Sequence, residues 1–264
     1  IVRWEKTTRP FLRTREILWQ EGHTMHATKE EAVEETLRML KVYEDFQRNI
    51  LAVPVFTGKK TDKEKFAGAE ATYAIEAMMY DGIALQSATS HYFGQGFAKA
   101  FDIKFLNKDN KYETPYQTSW GSTTRMIGEI IMVHSDDRGL VLPPKIAPYK
   151  CVIIPIGNDE KVTNTLNKIE EELKEIDITY KVDNSNKTPG FKFSEAEVKG
   201  YPIRIEIGKR DLEKGVITLV RRDTLEKEQV SVEDAIIRVN ELLINIQNDM
   251  YKKALDRRNS MVYN

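Results

Sequence analysis

Three prolines fall within six residues at "PPKIAP" (143–148), and no other feature of the chain limits its folding as strongly. Proline fixes φ and removes a backbone donor, so neither a helix nor an interior strand continues through this stretch. Directly after it, "YKCVIIPI" (149–156) restarts as an apolar run, the pattern of a strand buried on both faces. The chain therefore reads as a first domain over 1–142, a proline-rich linker over 143–148, a second domain over 149–255 and the start of an extension over 256–264. With 264 residues, 41% of them hydrophobic, each domain can bury its own core.

The two parts differ in pattern. In the first, residues 1–6 and 11–19 predict a hairpin with the charged loop Lys6–Pro10 at its tip. Thr28 followed by Glu31 is a capping box, and Val33, Leu37, Leu40 and Tyr43 recur at helical spacing, which predicts a helix reaching about Asn49. Strands are predicted over 51–58, 71–82 and 83–93, with Asp81-Gly82 as a tight turn, and over 113–121, followed by a helix over 123–134. That is a sheet with a few helices. In the second part, helix 159–175, strand 178–183, short helix 193–199, strands 201–207 and 215–221 and helix 231–254 predict an α/β domain with a mixed sheet.

Charge and cysteine content exclude several classes. Forty basic residues stand against forty-one acidic ones, so a polyanion can be held only by a local basic constellation. Cys151 is the single cysteine, which excludes an internal disulfide or a cysteine-rich zinc cluster and points to a reducing, cytoplasmic setting. No apolar run is long enough to span a membrane, and the first residues are too charged for a signal peptide. No Walker loop, dinucleotide fingerprint or zinc signature occurs.

The first twenty-six residues concentrate four arginines, three glutamates, two tryptophans and two histidines. Period-two alternation puts Arg3 and Glu5 on one face of a strand and Arg13 and Arg15 on one face of its partner. Arginine forks match phosphate and carboxylate oxygens, although a cross-strand salt-bridge ladder accounts for the same pattern. Trp19, Glu21 and His23 alternate onto one face, giving an aromatic wall, an anion and an imidazole suited to a small apolar ligand with an amine. Phe66 adds an aromatic ring, Gln86, Thr89 and His91 add polar groups where strands ordinarily carry larger apolar ones, and "SWGSTTRMIG" brings Gly121 and Arg125 to a strand-to-helix turn able to meet an anion.

Together these words resemble a known family. "RWE" and "PFLRTREILWQEGHT" resemble motif 2 of the class II aminoacyl-tRNA synthetases, and "SWGSTTRMIG" resembles motif 3. "FLRTRE", "LWQEGHT", "EKFAGA", "QSATSH" and "GLVLPPKIAP" are similar to prolyl-tRNA synthetases of the archaeal and eukaryotic type, and "PGFKFSEAEVKGYPIRIEIGKRDLEKG" resembles their anticodon-binding domain. The resemblance implies an α/β (α+β) fold: the C-terminal part of an antiparallel-sheet catalytic domain followed by a mixed-sheet α/β anticodon-binding domain. It implies an interior portion starting within motif 2 of a homodimeric enzyme, one that activates L-proline with ATP and Mg²⁺ and charges tRNA(Pro). By the same resemblance, Arg3 and Arg125 are catalytic; Arg3, Glu5, Arg13, Gln86, Thr89, Thr123 and Arg125 hold ATP; and Trp19, Glu21, His23, Phe66, His91 and Trp120 line the proline pocket. Glu197, Arg204 and Lys227 match positions that read the anticodon guanines, and no metal ligand is identified. Ile17 stands where the family carries a phenylalanine that stacks on adenine. The alternatives are a synthetase-like protein without catalysis, which loss of the motif arginines would mark, and a threonyl-type enzyme, which would bring zinc ligands.

Overall fold

The computed structural model describes residues 1–262, so the last two residues of the expected extension lie outside it. It divides into two compact units: Ile1–Asn49 with Val53–Val133 and the chain from Met261, and Ile50–Ala52 with His134–Ser260. Among the described residues no helix is long and apolar enough to cross a membrane.

The first unit is built on an antiparallel five-stranded sheet of β1 (Trp19–His26), β2 (Val55–Lys59), β3 (Ala71–Met78), β4 (Ala84–Gly94) and, after the short α2 (Gly96–Ala100) and the two-stranded ribbon of β5 (Phe105–Leu106) and β6 (Tyr112–Glu113), β7 (Tyr116–Thr123). Its order is β1-β7-β4-β3-β2. The turn between β3 and β4 needs Gly82, which sits at φ 78° and so in the left-handed region that glycine enters without steric cost. Helix α1 (Lys29–Asn49) covers one face of the sheet. There Tyr43 donates its hydroxyl to Gln20 Oε1 at 2.6 Å, and Ser90 Oγ donates to the Thr36 carbonyl at 2.8 Å. The capping box is made as the sequence predicts: Thr28 N–H donates to Glu31 Oε2 at 3.3 Å and Glu31 N–H to Thr28 Oγ1 at 3.2 Å. The buried stripe differs from the predicted one. Leu40 and Tyr43 are buried, but Leu37 is exposed; Ala32 and Thr36 are buried instead because their small side chains let the helix lie close against β3 and β4, and Gln47 is buried in contact with Glu129.

Residues 1–17 form a looser excursion than the predicted pair of strands. Arg3 N–H donates to the Arg15 carbonyl and Ile17 N–H to the Ile1 carbonyl, while the tip lies at Pro10–Leu12 instead of Lys6–Pro10, because Arg9 and Arg13 still pair. The tip rests on α3 (Arg125–His134), where Gly128 leaves room for the Leu12 side chain.

In the second unit β8 (Cys151–Ile156) is the buried strand the apolar run predicts. It pairs in parallel with β9 (Tyr180–Val182) and β10 (Ile203–Gly208), and β10 continues antiparallel to β11 (Val216–Arg221) and β12 (Lys227–Ser231). Helices α4 (Glu160–Glu175) and α7 (Ala235–Ser260) pack with Ile153, Ile203, Ile205 and Ile207 into the larger core. Helix α5 (Pro189–Lys199) covers Val152 and Ile154 through Ala196, and the one-turn α6 (Lys209–Leu212) follows β10. The sequence reading has no counterpart for α2, α6, β5, β6 or β12. Residues 143–148 are a packed turn: Ile146 and Ala147 N–H groups donate to the Pro143 carbonyl, and Lys145 N–H donates to Gln247 Oε1 of α7.

Candidate functional site

The face of the first sheet opposite α1 forms a cleft of about 750 Å³. Arg3, Trp19, Glu21, His23, Phe66, Gln86, Thr89, His91 and Trp120, all singled out from the sequence, line it. Antiparallel pairing explains the convergence. Trp19, Glu21 and His23 stand opposite Thr123, Gly121 and Ser119 of β7, and Gly121 and Ser119 stand opposite Thr89 and His91 of β4, so one face collects side chains from three strands. Gly121 adds no side chain to that face, which leaves space beside the Trp19 ring.

Within the cleft, His23 Nε2 lies 3.2 Å from Glu21 Oε1. His91 Nδ1 shares a hydrogen bond of 2.9 Å with Thr72 Oγ1, which also accepts from the Phe66 N–H, and the His91 ring sits among Phe66 and Phe93. Burial pushes the His91 imidazole down to about 4, so it is neutral at physiological pH and offers a hydrogen bond, not a charge. Trp120 is placed differently from the other five aromatic and polar residues grouped with it. It pairs with Gly22 and Ser90, so alternation turns its side chain to the α1 face, where the indole covers the space above Gly22. It still contributes to the lining of the cleft.

Beside the cleft, Glu5 is the hub of the excursion. The residue is 6% exposed, with Oε1 2.7 Å from Arg3 and Oε2 2.6 Å from Arg13, and the hydrogen bond from Arg13 holds its carboxyl below the usual range. The arginines expected to meet an anion are therefore joined by the salt bridges of the alternative reading. Arg13 and Arg15 do not share a face as alternation predicts: Arg13 meets Glu5 while Arg15 turns onto the Trp4 ring, 5.0 Å from its centroid, because the irregular excursion breaks the period of two. Thr123 Oγ1 accepts from the Arg125 N–H at the start of α3. The Arg125 guanidinium donates to the Leu12 carbonyl at 3.0 Å and the Gln86 carbonyl at 3.3 Å and has no carboxylate partner among the described residues. Burial, with Arg3 and Arg13 nearby, lowers its affinity for its proton. Three guanidiniums thus stand against one carboxylate. Ile17 is half-buried, does not line the cleft and exchanges backbone hydrogen bonds with Ile1.

In the second unit, Glu197, Arg204 and Lys227 come together around Phe193. Arg204 Nη1 lies 3.2 Å from Glu197 and its Nε 2.8 Å from Glu206, Lys227 Nζ lies 3.5 Å from Glu206, and both cations sit over the Phe193 ring. Burial raises the Glu197 carboxyl, but hydrogen bonds from Arg138 and Arg204 outweigh it and hold the group below the usual range. Glu206, Phe193 and Arg222, which donates to the Glu197 carbonyl and pairs with Asp136, are absent from the sequence reading. The signal for Glu206 is in "IRIEIG", where three isoleucines alternate with Arg204 and Glu206 across the two faces of β10. A second group that the sequence reading does not single out is Lys181, Lys187, Lys192 and Lys199, which line a crevice of about 280 Å³ past the carboxyl end of β9, the kind of position where open α/β sheets bind ligands.

An antiparallel sheet with a motif-like arginine cluster, followed by a mixed-sheet unit, defines a synthetase of class II. Residues 1–134 match the tRNA synthetase class II core domain (G, H, P, S and T) and residues 150–242 match the anticodon binding domain, and the chain belongs to this family. Its curated relatives include proline--tRNA ligases. That of Lachnospira eligens is 56% identical over 266 residues, covering 100% of this chain and 55% of that protein. That of Oceanobacillus iheyensis is 55% identical over 262 residues, covering 99% and 55%. The chain thus spans about half the length of the curated relatives it matches. Among solved structures, prolyl-tRNA synthetase from Cryptosporidium parvum complexed with L-proline and AMP superimposes with a TM-score of 0.95 at 43% identity, covering 98% of this chain and 57% of that one.

Proposed function

We propose that this chain carries the adenylate-forming and anticodon-reading parts of a proline–tRNA ligase, which joins L-proline to ATP as prolyl-adenylate and transfers the prolyl group to the 3′-terminal adenosine of tRNA(Pro). The observation that carries the reading is the guanidinium cluster. Arg125 is half-buried without a carboxylate partner, beside Arg3 and Arg13, whose shared counter-ion is Glu5. Such an excess of positive charge is relieved by a bound polyanion.

In this reading Arg3 meets both the α-phosphate and the proline carboxylate, bringing attacking oxygen and phosphorus together. Arg13 and Arg125 neutralise the outer phosphates as pyrophosphate leaves. Glu5 holds Arg3 and Arg13 in register, and Thr123, Gln86 and Thr89 complete the nucleotide site. Glu21 receives the secondary ammonium of proline, with His23 against it, while Trp19, Phe66 and His91 enclose the ring methylenes and Trp120 adds to the lining. The neutral state of His91 suits an apolar ring. Solved relatives that hold L-proline with AMP, and AMPPNP with another ligand, support an amino-acid and nucleotide site in this cleft. Catalysis of this kind rests on positioning and charge neutralisation. Mg²⁺ would accompany the nucleotide. Among the described residues no group of three or more His, Cys, Asp and Glu side chains could hold a metal.

Glu197, Arg204 and Lys227 read the anticodon guanines, the cations toward O6 and N7 and the carboxylate toward the amino edge. The proposal extends to a homodimeric, cytoplasmic full-length enzyme. It is tested by proline-dependent exchange of pyrophosphate into ATP in the full-length protein. Arg125→Ala should lose at least about 3 kcal/mol of transition-state stabilisation, as removal of a preorganised donor does. Exchange at the wild-type rate by this variant would sink the reading.

A further inference from the structure

Helix α3 carries, one turn after Arg125, a second residue that the proposed reaction leaves unused. Glu129 is 0% exposed, and so is Gln47 of α1, whose Nε2 donates to Glu129 Oε2 at 3.2 Å. The remaining oxygens of this pair, Glu129 Oε1 and Gln47 Oε1, are both buried without a hydrogen-bond partner. Two orphaned acceptors in one contact are costly, and an ionised carboxylate has no proton with which to relieve either. A proton on Glu129 would supply the donor that this contact lacks.

We propose that Glu129 is a positioning residue held as a neutral carboxylic acid, whose Oε1–H donates to Gln47 Oε1 and closes an acid–amide ring that ties α3, with Arg125 at its start, to α1. The polar groups acting on the carboxyl are Ser87 of β4 and Gln47 of α1, both uncharged, and no arginine, lysine or histidine is among them. Burial lifts the group to about 7 against the lowering effect of those two hydrogen bonds. Ser87 adjoins Gln86, whose carbonyl receives Arg125, so the Glu129 carboxyl and the guanidinium meet neighbouring residues of the same strand. Ionising Glu129 leaves both buried acceptors without a donor and loosens the seat of Arg125. Because the folded value lies above the unfolded one of 4.5, stability falls as pH rises from there through about 7 and is level beyond it.

The functional half of this inference rests on the proposed nucleotide site; the protonation half does not. In the full-length protein at about pH 6, the infrared difference spectrum between wild type and Glu129→Gln should contain a protonated-carboxyl stretch that disappears as pH rises through about 7. The glutamine variant keeps a donor and an acceptor, so it should match wild type in its Michaelis constant for ATP at about pH 6 and lack the roughly threefold or greater rise that wild type shows above pH ~7.5. It should also melt higher than wild type above that pH and alike near pH ~4.5. Glu129→Leu should show the raised Michaelis constant at every pH. A missing infrared band means an ionised Glu129 and overturns the proposal. A band present with identical pH profiles for wild type and Glu129→Gln overturns the positioning role, even if the leucine variant does not fold. Absence of exchange in the wild type itself would remove the proposed reaction, while the infrared band still decides the protonation.

Discussion

Gly22 is a glycine because Trp120 occupies its side-chain space: a Cβ built there would meet the indole of the residue paired with it across the ladder. Gly22→Ala should therefore overpack the α1 face and cost about 1–3 kcal/mol, read as a lower Tm, with most of it restored in the double variant with Trp120→Ala. The alternation of Trp19, Glu21 and His23 was legible in the sequence because a ladder of eight pairs enforces period two over the whole of β1. The same rule failed for Arg13 and Arg15, which lie in a segment held by isolated bridges, where no ladder imposes the period. It also hid the position of Trp120, since a motif word gives a residue's type and not the sheet face it takes. Glu129 could not be read at all: in the sequence it is one acid among many, and its neutral form depends on a glutamine eighty-two positions away.

Elements with local signals were the most readable. The capping box of α1, the apolar run of β8 and the Asp81-Gly82 turn each rest on interactions within a few residues, so the sequence carries them whole. Thr28→Ala should cost about 0.5–2 kcal/mol of stability by leaving a helix N–H without its partner, measured as a shift of the denaturant midpoint at constant m-value. The stripe that α1 buries was misassigned because helical spacing alone cannot choose between Leu37 and the small or polar residues that let strands approach. Elements of two to five residues, such as β12 and α6, carry too few side chains to show a period. Strand β12 exists because β11 offers it an edge, with Val220 opposite Lys227.

At the scale of the whole molecule, the two units give the proposed reaction two separable assays. Lys227 is exposed, so Lys227→Ala should weaken tRNA charging by about 1–3 kcal/mol while leaving both Tm and proline-dependent exchange unchanged. Arg204 is 6% exposed between Glu197 and Glu206, so Arg204→Ala should also destabilise the second unit by about 3–5 kcal/mol, seen as an earlier unfolding transition. A stability loss for Lys227→Ala equal to that for Arg204→Ala would make both residues structural. By itself the sequence determined the two-part organisation, an antiparallel sheet followed by a mixed one, and the residue types of the cleft, because hydrophobic period, proline and capping act over short spans of chain. Only the tertiary structure decided that Arg125 reaches Leu12 and Gln86 instead of a carboxylate, that Glu5 serves two arginines, and that Glu129 meets Gln47. Those contacts join elements distant in the chain, and their energies depend on burial, which no local pattern encodes.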